Sequence, residues 1–212
     1  MLAILEDVCK FELFGPIVGN DKTQTIENNI RNYLLKVNKN KEIEKSDLEF
    51  MRPTGSQLPR IYGLTKVHKK NNPLRPILSM VDSPQHKIAK WLSNLLRPVL
   101  KKYTKECISD SFSFAKFIQS RRLTPSDFLC SFDIKSLFTC VPVNEVVDIC
   151  ADALYREGLA VNGLEETSFR ELMKIATTSV EFLFDGNIYR QIDGVAMGSP
   201  LGPTLANIFV GY

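Results

Sequence analysis

Phe128-Leu-Cys-Ser-Phe-Asp133-Ile-Lys-Ser-Leu-Phe138-Thr-Cys-Val-Pro142 is an apolar run interrupted by one carboxylate. Residues 128–134 carry the pattern of a buried strand, with Asp133 near its end. A carboxylate at a strand terminus can offer oxygen to a hard cation. Mg²⁺ takes one or two protein carboxylates and completes its shell with water and substrate phosphate oxygens. The same placement also suits a capped or ion-paired surface aspartate. The stretch therefore predicts a sheet and leaves the role of Asp133 to its surroundings.

Downstream, Asn144 to Tyr155 has helical spacing and stops at Gly158. A second helix runs through Phe169, Leu172, Met173, Ile175 and Ala176. Val180-Glu-Phe-Leu-Phe and Ile188-Tyr-Arg-Gln-Ile flank Asp185-Gly186-Asn187, a strong hairpin signal. Gly194-Val-Ala-Met-Gly-Ser-Pro200 then leads into a helix through Leu205, Ile208 and Phe209. Its glycines let a backbone approach a ligand closely, though an ordinary turn before a helix has the same composition.

Upstream, Ser83-Pro84 reads as an N-cap followed by proline at the first helical position. Ile88, Trp91, Leu92, Leu95, Leu96 and Val99 follow at helical spacing, and Pro98 should kink or end that helix. Residues 51–82 are punctuated by Pro53, Gly55, Pro59, Gly63, Pro73 and Pro76, which predicts a β-hairpin or a loop-rich platform. Within it, Lys66 and Arg75 lie in two extended runs joined by a short polar turn. Lysine and a bidentate arginine on adjacent strands can together grip a triphosphate. Residues 22–50 predict helices, with Ile26, Ile30, Tyr33, Leu34 and Val37 on one stripe before a lysine-rich break.

The chain of 212 residues has 44% apolar and 24% charged residues, a globular balance that argues against wholly disordered, collagen-like and low-complexity chains. The net charge of +3 hides an uneven distribution. Between residues 60 and 105, Asp82 is the only acidic residue among eleven lysines and arginines, while residues 106–212 are net acidic. A basic middle attracts phosphate and gains from counterion release, although a solvated charged face has the same signature. His68 and His86 have no spaced ligand partner. Five cysteines without a C-x-x-C spacing predict reduced thiols rather than zinc or a disulfide framework. Met1 to Asp7 lacks a basic leader, and the uncharged stretch Gly194 to Tyr212 is broken by glycine and proline. Both features predict an intracellular chain with no membrane segment.

Taken in order, four blocks resemble the reverse transcriptases, most closely those of Penelope-like retroelements. They are Leu58-Pro-Arg-Ile-Tyr-Gly-Leu-Thr-Lys-Val-His-Lys69, Pro73-Leu-Arg-Pro-Ile-Leu-Ser79, Phe132-Asp-Ile-Lys-Ser-Leu-Phe-Thr-Cys-Val-Pro142 and Gly194-Val-Ala-Met-Gly-Ser-Pro-Leu-Gly-Pro203. The resemblance implies an α/β (α+β) fold, an incomplete right-hand polymerase with an antiparallel sheet backed by helices. Residues 55–212 would be fingers and front palm, and residues 1–54 a helical lead-in. Asp133 would be the first metal-binding aspartate, and the Ile134 carbonyl a further ligand, for Mg²⁺ or Mn²⁺. Lys66 and Arg75 would hold the triphosphate of the incoming dNTP, and Phe138 would lie against its sugar and exclude a 2′-hydroxyl. Met197, Gly198, Ser199 and Pro200 match the loop that packs against template and primer. Many relatives place glutamine where Met197 stands. The implied partners are an RNA template, a DNA primer and dNTPs, and the implied location is the nucleus, without a targeting signal in the chain.

Two-metal nucleotidyl transfer needs further carboxylates, which in this family come from a Tyr-x-Asp-Asp hairpin. No Asp-Asp occurs in this sequence. The expectation is a truncated reverse transcriptase, inactive as a polymerase alone. The alternative is a non-catalytic nucleic-acid-binding relic or repurposed fragment. A palm sheet without its catalytic hairpin would expose an edge and favour self-association.

Overall fold

A computed structural model of the chain describes residues 1–108, 110–122, 124, 126–159, 163–178 and 180–212. The fold is mixed α/β. Its five-stranded sheet comprises β1 (Phe11–Pro16), β2 (Arg60–Thr65), β3 (Leu74–Ser79), β4 (Val180–Phe184) and β5 (Asn187–Gln191), in the order β1-β5-β4-β2-β3.

The expected hairpin at the Asp-Gly dipeptide forms. Asp185 and Gly186 adopt φ of 48° and 73°, the left-handed geometry of a turn whose twist matches its strands. Its register sets Phe182 opposite Tyr189, and the rings stack at 5.8 Å. Val180 and Phe184 share that face, where Phe11 of β1 meets Phe182 edge-on at 5.9 Å. Leu5, Ile61, Leu78, Met80 and Ala196 complete this sheet core.

β2 and β3 form the second hairpin, with Leu64 opposite Arg75, and Lys66 N–H donates to the Pro73 carbonyl at 2.9 Å. Residues paired across an antiparallel ladder share a face, and the side-chain period is two. Lys66 and Arg75 therefore project from one face, with Tyr62, Leu64 and Ile77. Ile61 and Leu78 face the core on the other.

The longer helices bury their apolar stripes against one another rather than on the sheet. They are α2 (Thr23–Lys39), α3 (Lys45–Met51), α4 (His86–Leu95), α5 (Arg97–Tyr103), α7 (Val143–Ala151), α8 (Glu166–Thr177) and α9 (Gly202–Gly211); α1 (Leu2–Leu5) joins the sheet core. In α2, Ile30, Leu34 and Val37 are each almost fully buried, the stripe expected from their spacing. Leu96 breaks α4 from α5 ahead of Pro98. α7 runs on through a wider turn at Asp152–Arg156 before Gly158, whose φ is 75°. No helix among the described residues is long and apolar enough to cross a membrane.

Three expectations need correction. The sheet is mixed rather than antiparallel, because β2 and β4 meet in parallel at Arg60 and Leu183, where Leu183 N–H donates to the Pro59 carbonyl at 2.8 Å. α2 and α8 border the β4–β5 hairpin at a cavity, while their apolar stripes belong to the helical core. Ser83 does not cap a helix: residues 83–86 close a turn through His86 N–H to the Ser83 carbonyl at 3.2 Å, and α4 starts at His86 with Gln85 in the cap position. Residues 128–134 form no strand. A strand must pair its N–H and C=O groups with a neighbour, and the five strands pair among themselves. Phe128, Leu129, Phe132 and Ile134 are left exposed, Phe132 at 92%. α6 (Ser111–Gln119) buries none of its residues either.

Candidate functional site

Lys66, Arg75, Asp133, Ile134, Phe138 and Met197 line one open cleft of about 540 Å³. These residues lie on three separate parts of the chain. Each part reaches the cleft for a local reason.

The Lys66 and Arg75 wall is the outward face of the β2–β3 hairpin. Pairing of Thr65 with Leu74 and the Lys66–Pro73 hydrogen bond hold the two cations on diagonal positions of that face. The hairpin is tethered at its base by α2. Glu27, 3% exposed, accepts from Ser56 N–H at 2.8 Å and pairs with Arg31, which donates to the Pro53 carbonyl at 3.2 Å. Hydrogen bonds from Ser56 hold the Glu27 carboxyl below its ordinary range against the opposing effect of burial, and Arg31 adds to them.

The second wall is the turn after Asp133. Ser136 adopts φ of 57°, uncommon for a residue with a side chain. It starts a tight 3₁₀ turn at Leu137–Cys140, in which Thr139 N–H donates to the Ser136 carbonyl at 3.1 Å. That reversal presents Leu137 and Phe138 to the cleft, both half-buried. Lys10 braces the turn from outside, its Nζ 3.5 Å from Thr139 Oγ1 and 3.7 Å from Cys140 Sγ.

The glycine loop joins the two walls. Val195 N–H donates to the Phe138 carbonyl, and the Met197 carbonyl accepts from Leu78 N–H of β3, both at 2.8 Å. Two glycines permit this approach. A Cβ on Gly194 would lie 2.7 Å from Thr139 Cα, and one on Gly198 would lie 2.1 Å from the Leu78 carbonyl oxygen. Gly202, at the start of α9, leaves 3.6 Å between such a Cβ and the Phe138 ring. Phe138 is thus held between backbone segments rather than by a flexible neighbour.

Gly198, Ser199 and Pro200 lie beyond the cleft lining. Ser199 is buried, and its Oγ accepts from Leu201 N–H at 3.3 Å, which helps to start α9. His68 and Lys69 also line the cleft, as do Ile77 and Ser136. The sequence reading did not select them. The two-residue period from Arg75 points to Ile77, and the hairpin tip after Lys66 points to His68 and Lys69; Ser136 has no such signal.

The cleft therefore carries Lys66, Lys69 and Arg75 against the single carboxylate of Asp133. Such a lining attracts polyanions, and phosphate oxygens complement both the lysines and the planar guanidinium. Asp133 is exposed, and among the described residues no group of three or more His, Cys, Asp or Glu side chains is placed to hold a metal ion. Asp185 sits in the β4–β5 turn, and neither it nor Asp193 lines the cleft. No protein-family model, curated protein or solved structure matches the chain.

Proposed function

We propose that the chain is the fingers and front palm of a retroelement RNA-directed DNA polymerase, with the cleft as its nucleotide site. The observation that carries this reading is the single cleft. Lys66, Arg75, Asp133, Ile134, Phe138 and Met197, selected from separate sequence blocks, line it together.

In this reading Lys66 and Arg75 neutralise and orient the triphosphate of a dNTP. Phe138, fixed by the glycine loop, lies against the sugar and excludes a 2′-hydroxyl. The Asp133 carboxylate and the Ile134 carbonyl suit one Mg²⁺ or Mn²⁺ whose other positions go to water and triphosphate oxygens; that ion would neutralise charge on the phosphates. Nucleotidyl transfer forms a bond from a primer 3′-oxygen to the α-phosphorus and releases pyrophosphate. One carboxylate does not make the two-ion site this step uses, so the chain alone binds nucleotide and does not polymerise. The lone carboxylate also favours a second reading, in which the same cleft and basic middle serve nucleic-acid binding without chemistry.

Calorimetric titration of dNTP with Mg²⁺ tests the first reading. Saturable binding that weakens about tenfold or more in Lys66→Ala and in Arg75→Ala, as expected for a charge-assisted contact, supports it. Equal binding by wild type and both variants overturns it. Magnesium-dependent incorporation by the chain alone, abolished by Asp133→Ala, overturns the inactivity.

A further inference from the structure

A second cavity, of about 500 Å³, shares no lining residue with the nucleotide cleft. It lies where α2, α8 and the β4–β5 hairpin meet. Ile26, Ile30 and Ile175 give it apolar walls, and the half-buried Tyr33 adds an aromatic ring. Glu181 and Arg190 reach it from paired positions on β4 and β5.

That ion pair is incomplete. Arg190 Nη2 donates to Glu181 Oε1 at 2.9 Å, its Nη1 lies 4.0 Å from Glu12 Oε2, and the guanidinium lies over the Phe14 ring at 4.2 Å. Glu181 Oε2 and Arg190 Nε are shielded from solvent, and neither has a hydrogen-bond partner. Glu181 is 95% buried by its 5% exposure. An unpaired buried carboxylate oxygen and an unpaired buried N–H are each costly, and bulk water does not satisfy them. Together they offer one acceptor and one donor, held by their shared hydrogen bond. Both residues line the cavity, and a ligand edge that donates and accepts complements this pair.

The charged lining adds a second requirement. Lys22, Lys174 and Arg190 outnumber Glu171 and Glu181, and both lysines are exposed. A ligand that pairs with Glu181 and Arg190 at one end and meets these lysines carries an anion at the other.

We infer that this cavity binds a nucleotide-sized anion whose planar ring carries a lactam edge, in the class of uridine or guanosine monophosphate. The lactam N–H donates to Glu181 and its carbonyl accepts from Arg190. The ring lies among the isoleucines and Tyr33, and the phosphate meets Lys22 and Lys174. The inference does not depend on the polymerase reading, because the site uses none of the cleft residues. The ligand has two sources, a free mononucleotide or the terminal nucleotide of a strand.

The test titrates the full chain with uridine 5′-monophosphate, guanosine 5′-monophosphate and 5′-phosphorylated oligouridylate. N3-methyluridine 5′-monophosphate, which lacks the lactam N–H, provides a control that needs no protein variant. Saturable binding of one ligand per chain supports the site if N3-methylation weakens it about tenfold, the scale of a lost charged hydrogen bond. Glu181→Gln should weaken it to a similar degree without adding to the methylation, and Lys22→Ala with Lys174→Ala should weaken it through the phosphate. The paired Lys66→Ala and Arg75→Ala changes should leave it intact. Mononucleotide binding identifies a free ligand; binding of the oligonucleotide alone, with the same sensitivities to Glu181, Lys22 and Lys174, identifies a strand end. Absence of saturable binding by all three probes overturns the site. So does binding that ignores N3-methylation and Glu181→Gln, or that disappears with Lys66 and Arg75.

Discussion

At Gly198 the backbone conformation and its surroundings act in the same direction. Its φ of 131° disfavours a side chain, and a Cβ would overlap the Leu78 carbonyl oxygen. Gly198→Ala is expected to destabilise the fold by about 1–3 kcal/mol, measured by urea unfolding. It should also separate the Met197 loop from β3, and so weaken nucleotide binding in the cleft more than the same loss of stability elsewhere. The cysteines give a second residue-scale expectation. Cys9, Cys107, Cys130 and Cys140 are exposed, whereas Cys150 is buried and its thiol is pushed up to about 12 by desolvation. A colorimetric thiol reagent should therefore titrate four groups in the native chain and the fifth only after denaturation. Asp133 was legible as the candidate carboxylate from its place in an apolar run. Its company with Lys66 and Arg75 was implied only by the resemblance; local spacing does not show it, because the three meet only through the fold.

Secondary elements formed where local spacing and turn chemistry agreed. The α2 stripe and the Asp185-Gly186 hairpin follow from periodicity and from two left-handed turn residues. β1 was missed because Gly15 and Pro16 interrupt its short run; it exists through pairing with β5. α6 was missed because its aromatics recur at uneven spacing, and its start depends on Asp110, which accepts from Ser113 N–H at 2.9 Å. The 128–134 strand failed for the converse reason, an apolar pattern without a neighbouring strand. Its exposed Phe128 and Phe132 contribute little to stability. Phe132→Lys should leave the unfolding midpoint within the effect of a surface substitution, about 0.5 kcal/mol, while lowering self-association seen by light scattering. The tether between α2 and the β2–β3 hairpin makes an acid-sensitive element. Glu27 is held below its unfolded value of 4.5. Its stabilisation is therefore complete above that pH and is lost as pH falls through the lowered folded value. Glu27→Gln should remove this part of the acid dependence, read from urea midpoints measured across the acid range.

For the whole molecule, charge distribution and topology have separate consequences. The basic residues between 60 and 105 predict nucleic-acid binding that weakens with salt. Replacing Lys66, Lys69 and Arg75 with alanine should make the logarithmic salt slope shallower by about 0.7 per lost phosphate contact on a single strand, measured by fluorescence anisotropy. An unchanged slope would remove these residues from the phosphate contacts. The resemblance to reverse transcriptases singled out Phe138; amino-acid spacing by itself determined the helical stripes, the Asp185-Gly186 hairpin, the basic middle and the candidacy of Asp133, Lys66 and Arg75. Those features depend on neighbours a few residues apart, so their spacing records them. Tertiary structure alone decided that β2 meets β4 in parallel, that residues 128–134 stay unpaired, and that Met197 joins β3 to the Phe138 turn. It also decided that Glu181 and Arg190 face α2 and α8 across a cavity. Each of these depends on which distant backbone lies alongside to complete a hydrogen bond or fill a volume, and no local period in the chain encodes that choice.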